Sequence, residues 1–597
     1  MIRRIFLLIL PLTLFCSEYA IVKQANEAKL YEKNEWLALL HSDGEKSSIE
    51  DKKFILSKIF SPKDELQATI KALFEEPALY RDKNRHPQCR FPARRLFLIH
   101  ELNLSDSVFP SVTCPDFQNY QDKAPADTIS LIYASENVKN PSSMMGHTFF
   151  KYSGKNHQNK NAEHAITFYT VLDSFNLITL AYQNTVSGMD GFFALQPYKD
   201  VVAQYLYREN RNVWEYQLKL SDYRRDLINY HIWELKDIHM RYFFASYNCS
   251  TVVYYILSLA KPNIYDKKKL WITPLDTVKY LYDEELIKNS KLTPSTEWFI
   301  KMLQENIDSH DVNNVKKIVS KSRYDEIEKL DFLSLELLKN YSLLEHKKKN
   351  INSAEFNAIN SKIENISSKE EKFFDISNYK SPNKIPNQRQ FGVGYKSVED
   401  EKFLKLSFLG ASHLLGGDNR EYFGESELKI ADLSLLANSN SLKLENFTIY
   451  GMKSYIPFDT LTNDISYEFE MEVNREYDEN MQYKNIFKIN GGIGFDFLLG
   501  KDVNLFAILN TGIGYNRASK THILTNPQFG MMIYEVFNMK SLLSYEPIFV
   551  NENKIYDKYS LEQNMFLSKN YKIYFNLQIF EDEKKYVNCE FGLSRLF

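Results

Sequence analysis

Two short stretches of this sequence combine residue types suited to acyl-transfer chemistry. Gly146-His147 opens the run HTFFKYS, and Asn248-Cys249-Ser250 stands immediately ahead of the apolar run TVVYYILSLA. A cysteine placed where a loop gives way to a helix meets unpaired backbone N–H groups and the positive end of the helix dipole, and both favour thiolate. An imidazole held on a strand can take the thiol proton. Such a pair attacks an ester or amide carbonyl through a thioester, with amides at the helix start holding the oxyanion. The same residues also have a plainer reading, the cysteine as a small core hydrophobe and the histidine as a packed side chain.

Asn248 is placed to cap the helix that begins at Cys249. His231, in HIWEL, and His164, in EHAITFYT, are candidates for a third, orienting group, while the aromatic residues Tyr198 and Trp214, with Glu215, have the plainer reading of packing beside a core. No HExxH or CxxC spacing is present, and the glycines of GVGYKS and GGIGFDF sit in strand-like segments rather than in a phosphate loop. No metal, nucleotide or other cofactor is expected.

The elements that must position this pair are legible around it. TISLIYAS, HTFFKYS, HAITFYTVL and FNLITLAYQ are β-branched and aromatic runs that read as strands. RRDLINYHIWELKDIHMRYFF reads as a helix, and TVVYYILSLA as a second one that Pro262 stops. Residues 125–262 therefore form an α+β unit.

The segments SSMMGHTFFKYSG, GMDGFFALQPYKDVVAQY, RNVWEYQLKLSDYRRDLINYHIWELK and YFFASYNCSTVVYYIL, in that order, resemble the periplasmic domain family named after Lnb, the bacterial lipoprotein N-acyltransferase. The resemblance covers about 125–262. It implies a circularly permuted papain-type or NlpC/P60-type fold, with His147 as general base, Cys249 as nucleophile, and His231 within a family block. The CRFPAR block at 89–94 is similar to an N-terminal module that often precedes this domain, and a terminal barrel fits the same architecture.

The amino terminus has Arg3 and Arg4 ahead of the apolar stretch from Ile5 to Cys16, the pattern of a secretory signal ending near residue 20. A lipidated Cys16 is the alternative, with Phe15 standing where a small residue is wanted. Export leaves Cys89, Cys114, Cys249 and Cys589 in an oxidising compartment, where four cysteines allow three pairings. Cys89 and Cys114 share one short Pro- and Arg-rich subdomain and are the natural pair, which leaves Cys249 free. Ahead of them, EWLALL, KKFILSKIF and LQATIKALF recur with a helical period and suggest a helical cap.

The composition narrows the partners. Lys+Arg 74 against Asp+Glu 77 leaves a charge of -3, so no basic field exists to hold nucleic acid. Mean hydropathy of -0.41 excludes a polytopic helical membrane protein but not a barrel. Aromatics reach 14%, with 39 Tyr and 41 Phe, as strands at membrane interfaces require.

Residues 263–380 are Lys- and Glu-rich helices, and Ser381 to Gln388 is a linker with two prolines. Beyond Arg389 the period changes to two. Ile465, Tyr467, Phe469, Met471 and Val473 alternate with Ser466, Glu468, Glu470 and Glu472, and Phe487, Ile489, Ile493, Phe495 and Phe497 with Lys488, Asn490 and Asp496. YKIYFNLQIF continues the pattern, and the chain ends on the strand-like EFGLSRLF at Phe597. Alternation in segments of ~10 residues is the mark of transmembrane barrel strands, and about twelve are counted. Arg595 departs from it by sharing the parity of Phe597.

The expected organisation is multidomain: a signal peptide (1–20), a helical cap with the disulfide (21–122), an α+β permuted papain-like Cys-His domain (123–262), a charged helical collar and linker (263–388), and an antiparallel outer-membrane β-barrel (389–597). Residues 21–388 are expected in the periplasm. The expected function is a cysteine acyltransferase or hydrolase acting on lipid, lipoprotein or other cell-envelope acyl groups, in contact with outer-membrane lipid. A non-catalytic barrel, pore or scaffold, with a degenerate Cys-His domain as plug or binding module is the alternative, and the oligomeric state stays open.

Overall fold

The computed structural model describes residues 18–137, 145–170, 187–244, 246–269, 271–367, 374–377, 379–517, 520–551 and 553–597. The leader-like segment through residue 17 and the run FNLITLAYQ lie outside these residues. The chain divides into two compact units, one ending at Thr293 and the other running from Pro294 to Phe597.

The first unit starts with the cap, a helix over 18–27 followed by α1 (Asn34–Leu39), α2 (Pro62–Leu73) and α3 (Pro92–Glu101). Ser61 caps α2 by accepting from the Asp64 N–H at 3.0 Å, and Pro62 occupies the first helical position, where no N–H is missed. KKFILSKIF does not become the helix its period suggests. Its backbone is claimed by a side chain: the N–H groups of Leu56 and Ser57 donate to the Glu65 carboxylate at 2.9 and 2.8 Å. Cys89 and Cys114 are joined in a disulfide, with Cα atoms 5.2 Å apart, and Cys249 is free.

Seven antiparallel strands follow, in the order β6-β4-β3-β2-β1-β5-β7. They are β1 (Thr128–Ala134), β2 (His147–Lys155), β3 (Asn161–Thr170), β4 (Met189–Pro197), β5 (Val213–Leu218), β6 (Met240–Tyr242) and β7 (Ile287–Thr293). Two helices matter most here, α4 (Asp222–Glu234) and α5 (Cys249–Ala260), the latter buried along its whole length. The expected collar boundary at residue 263 moves to 294. Helix α6 (Pro274–Asp283) packs on α5, and β7 pairs with β5 from Val213↔Thr293 to Leu218↔Ile287. This strand reads as charged spacer because it is a sheet edge, where exposed lysines are the usual protection.

The second unit joins the collar, α7 (Thr296–Gln304), α8 (Ser309–Ser320), α9 (Phe332–Lys347) and α10 (Ser353–Ser367), to a closed barrel of twelve antiparallel strands, from β8 (Gln390–Val398) to β19 (Lys585–Leu596). The alternation sorts as its residue types require. Ile493, Phe495 and Phe497 face outward and exposed, while Glu468, Glu470 and Glu472 are buried inside. An apolar exterior around a polar interior is the reverse of a soluble barrel and places this one in the outer membrane. Because β8 enters and β19 leaves at the same end, that end faces the periplasm.

Connections at the periplasmic mouth are long at 414–424 and 456–465, and the collar closes on them. Lys301 pairs with Asp459 and Asp464 at 2.7 and 3.0 Å, Trp298 meets Phe423 at 4.9 Å, and Leu461 is buried in the collar's own core. The lumen is crossed as well. Lys540, on β16 (Met539–Val550), pairs at 2.5 Å with Glu425, on β10 (Glu425–Ala437), and these strands are diametrically opposed in the ring. Near the outer mouth Tyr477, on β12 (Ser466–Tyr477), packs at 4.8 Å on Phe580, on β18 (Tyr571–Glu581), again across the full ring. Two of the cavities between these crossings are about 190 and 300 Å³, both lined by ionised side chains.

Candidate functional site

His147 is the first residue of β2, in register with Ala134 on β1. The turn before it needs glycine: Gly146 has φ +83°, and a Cβ there would stand 2.9 Å from the Tyr133 ring and 3.0 Å from the Ala134 carbonyl oxygen. Arg211 braces the partner strand, its Nε donating to Ser135 O at 2.6 Å and its Nη2 to Ala134 O at 2.7 Å. The Tyr205 ring lies between the two, 6.2 Å from the His147 ring and 4.9 Å from the Arg211 guanidinium.

Cys249 is the first residue of α5. Asn248 caps that helix: its Oδ1 accepts from Thr251 N–H at 3.0 Å, and its Nδ2 donates to the Phe244 carbonyl at 2.8 Å. The cap fixes the loop and leaves the first-turn amides around the sulfur free of helical partners. The His147 imidazole and the Thr148 N–H act on the Cys249 sulfur and favour its thiolate. Burial pushes the thiol up, but these influences, the His147 charge foremost, outweigh it and bring the group down to about 7. Ser250 Oγ lies 3.8 Å from the sulfur. Cys249 as a residue is 6% exposed.

The structure thus brings Cys249, His147 and Asn248 together and sends His231 elsewhere. His231 is buried on α4, its Nδ1 3.3 Å from Glu234 Oε2 and its Nε2 3.0 Å from His41 Nε2. Both ring nitrogens are engaged away from the thiol. His41 reaches the nucleophile loop on the other side, with Nδ1 2.5 Å from the Tyr247 hydroxyl, two residues ahead of Cys249. Arg94 closes the far end of this cluster, fully buried, 2.8 Å from Glu65 and 3.8 Å from Glu234. His164 pairs across the sheet with Tyr152, while Tyr198 and Lys151 bond to Glu215 at 3.2 and 3.1 Å. Trp214 stacks on Tyr216 within the core.

Sequence reasoning missed His41, Arg94, Tyr247, Tyr205 and Arg211. For Arg94 a signal existed, since an arginine set between Phe91 and Phe97 on a helix face is placed to be buried.

Comparison with known families bears on this geometry directly. Residues 116–284 match the Lnb N-terminal periplasmic domain. The Lnb-type match takes in His147, Cys249 and the helix α6 beyond the sequence-based limit of 262. Residues 28–101 match a domain of unknown function, DUF7843, and residues 380–594 another, DUF7840. No curated protein matches the chain. Solved structures similar to it include a KdgM porin, at 10% identity and TM-score 0.23 over 35% of this chain and 99% of the porin. An outer membrane channel from Pseudomonas putida F1 shares 12% identity at TM-score 0.24, over 38% of this chain and all of the channel. An anion-selective porin from Comamonas acidovorans shares 9% at TM-score 0.19, over 35% and 98%.

Proposed function

We propose that this protein is a periplasmic cysteine acyltransferase or hydrolase tethered to the outer membrane by its barrel. The relationship that carries this reading is Cys249 at the start of a buried helix under the influence of His147, which helps lower its thiol to about 7. The thiolate attacks the carbonyl of an ester or amide in a cell-envelope substrate, and the acyl–oxygen or acyl–nitrogen bond breaks. His147, holding the thiol proton, delivers it to the leaving group. Water or an amine then attacks the thioester, His147 takes its proton, and the sulfur leaves as thiolate. Amides of the first turn of α5 are placed to hold the oxyanion.

Acyl transfer or hydrolysis on an outer-membrane lipid suits a domain held at that membrane. The wall-to-wall contacts in the lumen favour an anchor over a pore. Iodoacetamide labelling of Cys249 against pH, in the folded protein and in His147→Ala, tests the proposal. A midpoint near 7 that moves up by a unit or more in the variant supports it. Slow labelling indifferent to His147 sinks it and leaves a binding module.

A further inference from the structure

Buried lysines crowd the barrel lumen, and their partners are the clue to a second site. Lys396, Lys405, Lys429, Lys453, Lys488, Lys540 and Lys558 each lie within 4.0 Å of a glutamate. Lys572, near the start of β18 and 5% exposed, makes no hydrogen bond or ion pair among the described residues and stands 6.0 Å from the centre of the Tyr574 ring. Glu562, Glu427 and Asp432 act on it from a distance without bonding it, Glu562 Oε1 accepting instead from Asn564 Nδ2 at 2.8 Å, and Lys540 adds positive charge against them. A buried ammonium left in this way calls for an anion.

Lys572 lines a cavity of about 420 Å³ at the periplasmic mouth. The cavity wall carries Lys384, Arg420 and Lys569 as further cations, with Arg389 already donating to Phe597 O at 3.4 Å, against Asp418 and Glu421. Asp418 is already occupied, holding Arg420 in a two-point contact at 2.8 Å on each side. Positive charge is therefore in surplus where an anion would sit. The wall also includes Leu567, which points outward and is 54% exposed on the apolar face of the barrel, so the cavity borders the lipid belt.

We propose that this cavity binds the phosphate of an anionic phospholipid headgroup from the periplasmic leaflet, with Lys572 as its buried cation. The site stands whatever chemistry Cys249 performs, because no residue of the Cys-His domain takes part in it. A headgroup phosphate would supply the counter-charge Lys572 lacks, Lys384 and Lys569 would meet it from the rim, and the acyl chains would leave along Leu567.

Native mass spectrometry of the full-length protein, released from detergent with added phosphatidylglycerol or phosphatidylethanolamine, tests the site. Retention of phosphatidylglycerol is expected, with phosphatidylethanolamine retained several-fold less. Lys572→Gln should weaken retention about tenfold, the scale of one charge-assisted contact. Lys443→Gln, at the opposite mouth, should leave it unchanged. Heat-modifiable migration on gels reports whether each barrel is folded, and if Lys572→Gln is not, the exposed pair Lys384→Gln with Lys569→Gln takes its place with a several-fold loss expected. Equal retention of both lipids, or no effect of the variants, would overturn the proposal. Displacement of phosphatidylglycerol by millimolar inorganic phosphate alone would overturn it too, by assigning the cavity to free phosphate.

Discussion

His41 in the cap and His231 in the Cys-His domain face each other at 3.0 Å through their Nε2 atoms, both fully buried. Only one of the two nitrogens can carry a proton, so the contact has a direction. With Glu234 ionised, the His231 Nδ1–H donates to Glu234, the His41 Nε2–H donates to His231, and the Tyr247 hydroxyl donates to His41 Nδ1. With Glu234 protonated, every donor in the chain reverses and every group stays satisfied. The cap is therefore wired to the loop that carries Cys249, and Arg94 sets the charge at the other end.

Arg94 has the largest stability effect of these residues. Replacing it by Met leaves Glu65 and Glu234 buried beside an apolar side chain, and removing one partner of a buried pair costs about 3–5 kcal/mol. Thermal unfolding of the first unit should move down accordingly, while the heat-modifiable shift of the barrel stays as it was.

Acid should weaken the same region. At pH 7 both imidazoles are neutral whether the chain is folded or not. Burial, aided by the Arg94 charge, lowers His231 from 6.5 to about 3, and burial lowers His41 in the same direction with help from His231. Stability from these groups is thus present above pH 6.5 and is lost as the pH falls toward 3, by up to about 1.4 kcal/mol per pH unit for each histidine. Glu234 opposes this between 4.5 and 7, because burial raises it to about 7 despite Arg94, and its contribution is lost as pH rises through that value. Melting curves of the wild type and His41→Gln at pH 7.5, 6.0 and 4.0 should diverge below 6.5, with the variant the less acid-sensitive. Parallel curves would remove the pair from the acid response.

Gly146→Ala separates geometry from stability at the site. The added methyl meets Tyr133 and Ala134 at a backbone angle that side chains avoid, so His147 must shift. Labelling of Cys249 at pH 7 should slow by about tenfold or more, in line with the loss of one catalytic hydrogen bond. A labelling rate equal to the wild type would show that the turn does not position the imidazole.

The barrel should conduct no ions. In planar bilayers the wild type is expected to stay silent, since the lumen is crossed near both mouths. Tyr477→Ala with Phe580→Ala removes the outer crossing and alone should not open it, because the collar and the Lys540–Glu425 crossing remain. Steady porin-like conductance from the wild type would contradict this.

How much of this was legible in the sequence depends on range. The barrel was readable because alternation is local: Glu468, Glu470 and Glu472 reveal their face within one strand. The helix start at Cys249 and its Asn248 cap were readable because a helix start has local chemistry. The contact of His231 with His41 was not readable because His41 lies in another domain, and no spacing reports a contact between them. Lys288 and Lys291 misled in the opposite way, since an edge strand and a solvated helix expose the same charges. KKFILSKIF has a helical period that Glu65 overrides from the next helix.

The six connections at the outer mouth of the barrel contain only two to five residues each. A cell carrying this protein shows the outside almost nothing of it. Antibodies, phage tail proteins and proteases act on loops that project from the membrane, and connections this short offer them little. Recognition from outside the cell therefore has little to grip.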